Sequence, residues 1–176
     1  MIRNLSFFVK SAKESFRVRE EEKGLGLIES EWSYEIEWFE ESNVCRRIKE
    51  YLEKKGYWIM KFNIDKRAKG HDIIAVKDSK KLIVEVKGYP SDKYVRGKKK
   101  GQKKPTSPKL QAKHWFAEAL LSLIIAKSQS PEVDIALGLL DFEKYRELLD
   151  KIRYFRRKFG LICYLVDKYG NVKEIT

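Results

Sequence analysis

The chain is 176 residues long, enough for one domain with a sizeable core and some length left over for an appended arm. Its 43% hydrophobic and 12% aromatic content excludes a disordered chain, and the absence of a long apolar run or a signal-peptide layout around Phe7-Phe8-Val9 leads us to expect a cytoplasmic protein with no membrane partner. The 38 Lys and Arg against 26 Asp and Glu give a formal net charge of +12, an excess that attracts polyanions, nucleic acid foremost.

In chain order, Leu5, Phe8, Ala12 and Phe16 recur at helical spacing and predict an amphipathic N-terminal arm over residues 1–30, ended by Gly24 and Gly26. The remainder, 31–176, reads as one domain. A helix is expected from about Glu31 to Lys55, with Val44, Ile48, Tyr51 and Leu52 on one stripe and Gly56 placed to end it. Three strand-like segments follow: Tyr57–Ile64, His71–Val76 and Lys81–Lys87, the last two joined by Asp78-Ser79-Lys80 as a hairpin. Gly88 to Pro108 is rich in Gly, Pro and Lys and reads as a mobile loop. A helix over Leu110–Lys127 is expected to bury Trp115, Ala119, Leu120, Leu123 and Ile124. Val133–Leu140 is a continuous apolar strand, Asp141 is placed to cap a helix running to Phe159, and Leu161–Val166 and a last short segment are strands. The order α-β-β-β-α-β, followed by a further helix and strand, implies an α/β domain with a mixed sheet flanked by helices. Cys45 and Cys163 have no metal-type spacing and read as buried or half-buried thiols.

The basic residues are unevenly placed. Lys93, Arg96, Lys98, Lys99, Lys100, Lys103, Lys104, Lys109 and Lys113 fall in a stretch without a single acidic residue. A solubilising surface mixes its signs, so this stretch is expected to contact nucleic-acid phosphates. Tyr89 and Tyr94 beside it either stack on bases or serve the loop itself. Lys151, Arg153, Arg156, Arg157 and Lys158 form a second group, read either as an extension of that track or as solvated helix charge.

The chemistry concentrates in Gly70-His71-Asp72 at the start of one hairpin strand and Glu85-Val86-Lys87 at the end of the next. Side chains alternate along a strand, so Glu85 and Lys87 share a face, roughly 7 Å apart, while Val86 faces the other way. The hairpin returns Asp72 to the same end. Two carboxylates there make a hard-oxygen site suited to Mg²⁺, and a neighbouring lysine balances charge and positions water.

Gly70-x-Asp72, twelve intervening residues and Glu85-Val86-Lys87, preceded and followed by a helix, resembles the PD-(D/E)XK nucleases, over about residues 40 to 140. That superfamily includes restriction endonucleases and archaeal Holliday-junction resolvases. The resemblance implies a restriction endonuclease-like core and Mg²⁺-dependent hydrolysis of DNA to leave a 5′-phosphate, with Mn²⁺ as a substitute. It makes Asp72, Glu85 and the Val86 carbonyl the metal ligands and Lys87 the catalytic lysine. His71 stands where the family often has proline, a position that is not a ligand. Glu41, on the apolar stripe of the first helix, either matches a glutamate that members often carry near the metal or is a carboxylate at the helix's exposed margin. Gln111, opening the helix after the basic loop, matches a Gln or Lys that several branches turn towards metal and phosphate. His114, one turn later, is either a further phosphate contact or a structural residue. Two other readings stay open: a nucleic-acid-binding module that has lost cleavage, and a subunit of a defence or repair complex. The arm's apolar stripe either folds back on its own domain or packs on the same stripe of a second chain; because one such site cuts one strand, the reading leans to a homodimer.

Overall fold

The computed structural model describes residues 40–64, 70–90, 93–94 and 98–176. The arm expected over residues 1–30, and with it the dimer stripe, lies outside them, as does Arg96.

The first helix, α1, runs Glu41–Lys54 and buries Val44, Cys45, Ile48 and Leu52. Extended Glu40 (φ −75°, ψ 130°) marks its N-terminus, and residues 31–39 of the expected helix lie outside the described residues. Strands β1 (Trp58–Phe62), β2 (Ile73–Lys77) and β3 (Lys80–Lys87) form an antiparallel meander. Lys77 pairs with Lys80, so the hairpin turn is only Asp78-Ser79, both at positive φ (50° and 64°). That left-handed pair follows the right-handed twist of the flanking strands. Helix α2 (Pro108–Gln129) starts with Pro108 in its first turn and the Ser107 hydroxyl accepting from Leu110 N. Strand β4 (Asp134–Leu140) then lies parallel to β3, β5 (Leu161–Val166) parallel to β4, and β6 (Val172–Ile175) antiparallel to β5. The result is one six-stranded mixed sheet in the order β1-β2-β3-β4-β5-β6.

The segment between β4 and β5 differs from expectation. It is two helices, α3 (Glu143–Lys151) and α4 (Arg153–Phe159), separated at Ile152. No Gly or Pro marks that break. Asp141 does not cap α3; Phe142 holds the N-cap position, and the Asp141 carboxylate pairs with Arg146 instead.

The sheet carries helices on both faces. On one, Ile83, Leu137, Leu139 and Cys163 pack against Ala112, Phe116, Ala119 and Leu123 of α2 and Tyr145, Leu148 and Leu149 of α3. On the other lies α1, close enough that a Cβ on Gly138 would overlap Ile48 Cδ1 and stand 3.0 Å from Val86 Cγ2. Both cysteines are free and buried. The α2 stripe is rotated from the expected one: Trp115, Leu120 and Ile124 are only half-buried, while Ala112, Phe116 and Ala126 are buried. Among the described residues no helix is long and apolar enough to cross a membrane.

Gly138 therefore sets the spacing of α1 from the sheet. Gly138→Ala is expected to destabilise the fold by about 1–3 kcal/mol in urea unfolding. Adding Ile48→Val, which removes the obstructing methyl, recovers part of the loss; unchanged stability in Gly138→Ala would contradict this packing.

Candidate metal-binding and catalytic site

Strands β1, β3, β4 and β5 run in one direction, and their C-terminal ends meet the N-terminus of α1, the start of β2 and the loop leading to α2. Ligand sites in sheets of this kind form at that end. The local backbone is shaped for it. Gly70 takes φ 93°, a left-handed conformation that suits glycine, and turns the chain into β2. Asn63, just past β1, donates its N–H to Asp72 O (2.8 Å) and its Nδ2 to His71 O (3.5 Å). Tyr145 of α3 donates to Gly88 O (2.6 Å), fixing the chain immediately after Lys87.

Asp72 and β3 are joined directly. The register of β2 and β3 places Ile73 opposite Val84, so Asp72 lies just beyond the ladder, where its Oδ2 accepts from Val86 N at 2.7 Å. The N–H and C=O of a strand residue point to the same side, so the Val86 carbonyl also faces this margin. Burial is the largest influence on the Asp72 carboxyl, which is pushed up to about 6, with Glu85 and Glu41 adding to the rise and the Val86 N–H and Lys87 opposing it. Glu85 is 8% exposed. Its Oε1 lies 2.5 Å from His71 Nδ1 and accepts from Ser122 Oγ at 3.0 Å. Lys87 Nζ stands 3.8 Å from Glu41 Oε2. Cys45, on the next turn of α1, is a thiol that burial and the Asp72 and Glu41 carboxylates keep protonated.

Asp72, Glu85, Lys87 and Glu41 are thus gathered at one place. Gln111 is not brought to them by any hydrogen bond described: its Nε2 donates to Thr106 O (2.7 Å), and it lies three helical turns before Ser122, about 16 Å along α2. His114 is exposed on the same early part of α2, as are Lys109 and Lys113. The basic loop has internal order, with Lys93 bridged to Lys103 and Gly101 N donating to Tyr94 O (2.8 Å). Lys98, Lys99 and Lys100 are exposed in its turn, and Lys99 and Lys104 stand over the Tyr94 ring at 5.8 and 6.0 Å. Tyr89 packs on Phe142 and Tyr145 and belongs to the core. In the second basic group Arg156 is buried, and α4 leads into the N-terminal end of β5, at the opposite end of the sheet.

The residues the sequence did not single out as parts of the site are Ser122, Asn63 and Tyr145, with His71 noted there only as a departure from proline. Ser122 left a faint signal, being the one polar residue in the apolar run Ala119–Ala126.

Among the described residues no group of three or more His, Cys, Asp or Glu side chains is spaced to hold a metal ion. Two carboxylates and a backbone carbonyl fit a cation that retains several waters, as Mg²⁺ does. The raised Asp72 carboxyl, beside two other carboxylates, is the negative charge such a cation would neutralise.

No protein-family profile and no curated protein matches the chain. Among solved structures, a crystal structure of an XisH family protein from Nostoc punctiforme is similar at 18% identity and a TM-score of 0.45, over 76% of this chain and 99% of that one.

Asp72 generates a pH prediction. Its folded carboxyl is raised from 3.8 to about 6, so between those values the folded state holds a proton that the unfolded state has released. Stability contributed by this group therefore falls as pH rises from about 4 to 6, by roughly 3 kcal/mol at most. In EDTA, Asp72→Asn should melt above the parent at pH 7.5 and lose that advantage at pH 4. Equal melting temperatures at both pH values would mean that Asp72 is not desolvated.

Proposed function

We propose that the protein is a Mg²⁺-dependent nuclease that hydrolyses phosphodiester bonds of DNA at the Asp72–Glu85–Lys87 site. The observation that carries this reading is the placement of the Asp72 carboxylate on the N–H of Val86, between Glu85 and Lys87, at the end of the sheet where the basic loop emerges. Glu85 is paired with His71 and Glu41 with Lys87, whereas among the described residues the Asp72 carboxylate has only the Val86 N–H as a hydrogen-bond donor, with both other carboxylates raising it and Lys87 opposing.

In this reading Asp72 and Glu85, with the Val86 carbonyl, hold Mg²⁺, with Mn²⁺ as a substitute. An ion held there would supply Lewis-acid polarisation of a phosphate and make a neighbouring water more acidic. Lys87 keeps its ammonium beside the attacked phosphate and orients the water, and Glu41 holds Lys87 from the α1 side. The exposed lysines at 98–100, 103, 109 and 113 grip the backbone without reading sequence.

The test is a panel of labelled duplex, single-stranded, flap and junction DNA incubated with Mg²⁺, Mn²⁺ or EDTA. Cutting should require a divalent ion and collapse in Asp72→Asn and Glu85→Gln. Lys87→Ala should stop cutting while leaving DNA affinity nearly intact. Wild-type cleavage by Asp72→Asn would sink the assignment, and DNA bound but uncut under every condition would leave a binding module. Changing Lys98, Lys99 and Lys100 together to Ala should weaken all sequences alike and lower the slope of log affinity against log salt by up to about 0.9 per lost contact. An unchanged slope would return these lysines to the solvated surface.

A further inference from the structure

Glu85 has two partners that a two-carboxylate centre does not require. His71 Nδ1 and Ser122 Oγ both converge on its Oε1, at 2.5 and 3.0 Å. A carboxylate only accepts, so both partners donate. Among the described residues no donor reaches Oε2.

The two donors come from separate elements. His71 precedes β2, its backbone held by Asn63 on one side and the Gly70 turn on the other. Ser122 lies in the second half of α2, inside the run Ala119–Ala126, where every other residue is apolar. A serine inside a helix usually turns its hydroxyl back to the carbonyl four residues earlier. Ser128 of the same helix does so, to Ile124 O at 2.7 Å. Ser122 instead points across to the sheet. Its helix position lies at the margin of the buried stripe of Ala119, Leu123 and Ala126, the side that faces β3.

We propose that Ser122 and His71 are positioning residues that clamp Glu85 Oε1 between α2 and the start of β2, leaving Oε2 as the oxygen presented to the divalent cation shared with Asp72. The inference rests on the metal-dependent reading above and assigns it a supporting shell. A glutamate on a strand has three side-chain torsions and can swing its carboxylate out of a shared site. Two donors on one oxygen remove that freedom and fix which oxygen is available. Because they act on the same atom, either alone retains part of the clamp, and their removal should not be additive.

The experiment is calorimetric titration of Mg²⁺ and Mn²⁺ into the full chain without DNA, with DNA affinity in EDTA measured in parallel. Ser122→Ala and His71→Ala should each weaken metal binding about three- to tenfold, and the double variant by more than the product of the two, in line with the 10- to 100-fold losses seen when ligand-orienting partners are removed. Ser122→Thr, which keeps the hydroxyl, should restore most of the affinity. DNA binding in EDTA should stay at the parent value throughout, which a collapsed fold would not allow. If the double variant binds metal like the parent while Asp72→Asn does not, the clamp is refuted and the metal site stands. Equal losses in Ser122→Ala and Ser122→Thr would make Ser122 a packing residue and also refute the clamp. Parent-like metal binding by Asp72→Asn would refute the metal reading itself and the clamp with it.

Discussion

Two carboxylates withdrawn from water at the end of an apolar hairpin constrain everything around them. Asp72 is buried enough to raise its carboxyl to about 6, and Glu85 is 8% exposed between hydrophobic neighbours on β3. Desolvating acids in this way is unfavourable unless donors or opposite charge replace the lost water. The surrounding chain provides them from several directions: the Val86 N–H for Asp72, His71 and Ser122 for Glu85, and Lys87 nearby. Glu41 works against this compensation, since it adds a third negative group, although it also holds Lys87. A fold shaped only for stability would carry apolar side chains in place of such a cluster. Its presence in an otherwise hydrophobic strand argues for a ligand that changes the balance.

The two ends of the sheet divide their roles. At one, Gly70, Asn63 and Tyr145 fix the backbone around Asp72 and Lys87, and the chain leaves β3 into the basic loop and the exposed lysines of early α2. At the other, the Asp78-Ser79 hairpin and α4 close the domain, and the buried Arg156 beside Cys163 serves the interior. Helix α2 connects the two roles, because its first turns carry Lys109 and Lys113 while Ser122, three turns after Gln111, supports Glu85.

Much of this was readable because strands with continuous apolar runs leave few alternatives. Leu82-Ile83-Val84 and Ile135-Ala136-Leu137 lie in runs too short for a buried helix, and the hairpin placed Asp72 beside Glu85 from spacing alone. Helix α2 was harder. It is apolar on nearly all sides, so periodicity could not choose its buried stripe, and Leu121 and Ile125 remain 58% and 47% exposed. The break at Ile152 carries no Gly or Pro and left no trace in the pattern. His71 and Ser122 stand 14 and 37 positions from Glu85, on opposite sides of it in the chain. The β2–β3 pairing brings His71 to that oxygen, and only the packing of α2 on β3 brings Ser122 there.

The central claim is that Asp72 and Glu85 share one divalent cation. Crystals grown with Mn²⁺ and measured at the manganese absorption edge test it most directly. The account predicts a single anomalous peak bridging the Asp72 and Glu85 carboxylates, within coordinating distance of the Val86 carbonyl, and no such peak in Asp72→Asn crystals. Manganese bound elsewhere, with Asp72 Oδ2 still on the Val86 N–H and no peak between the two acids, would contradict it.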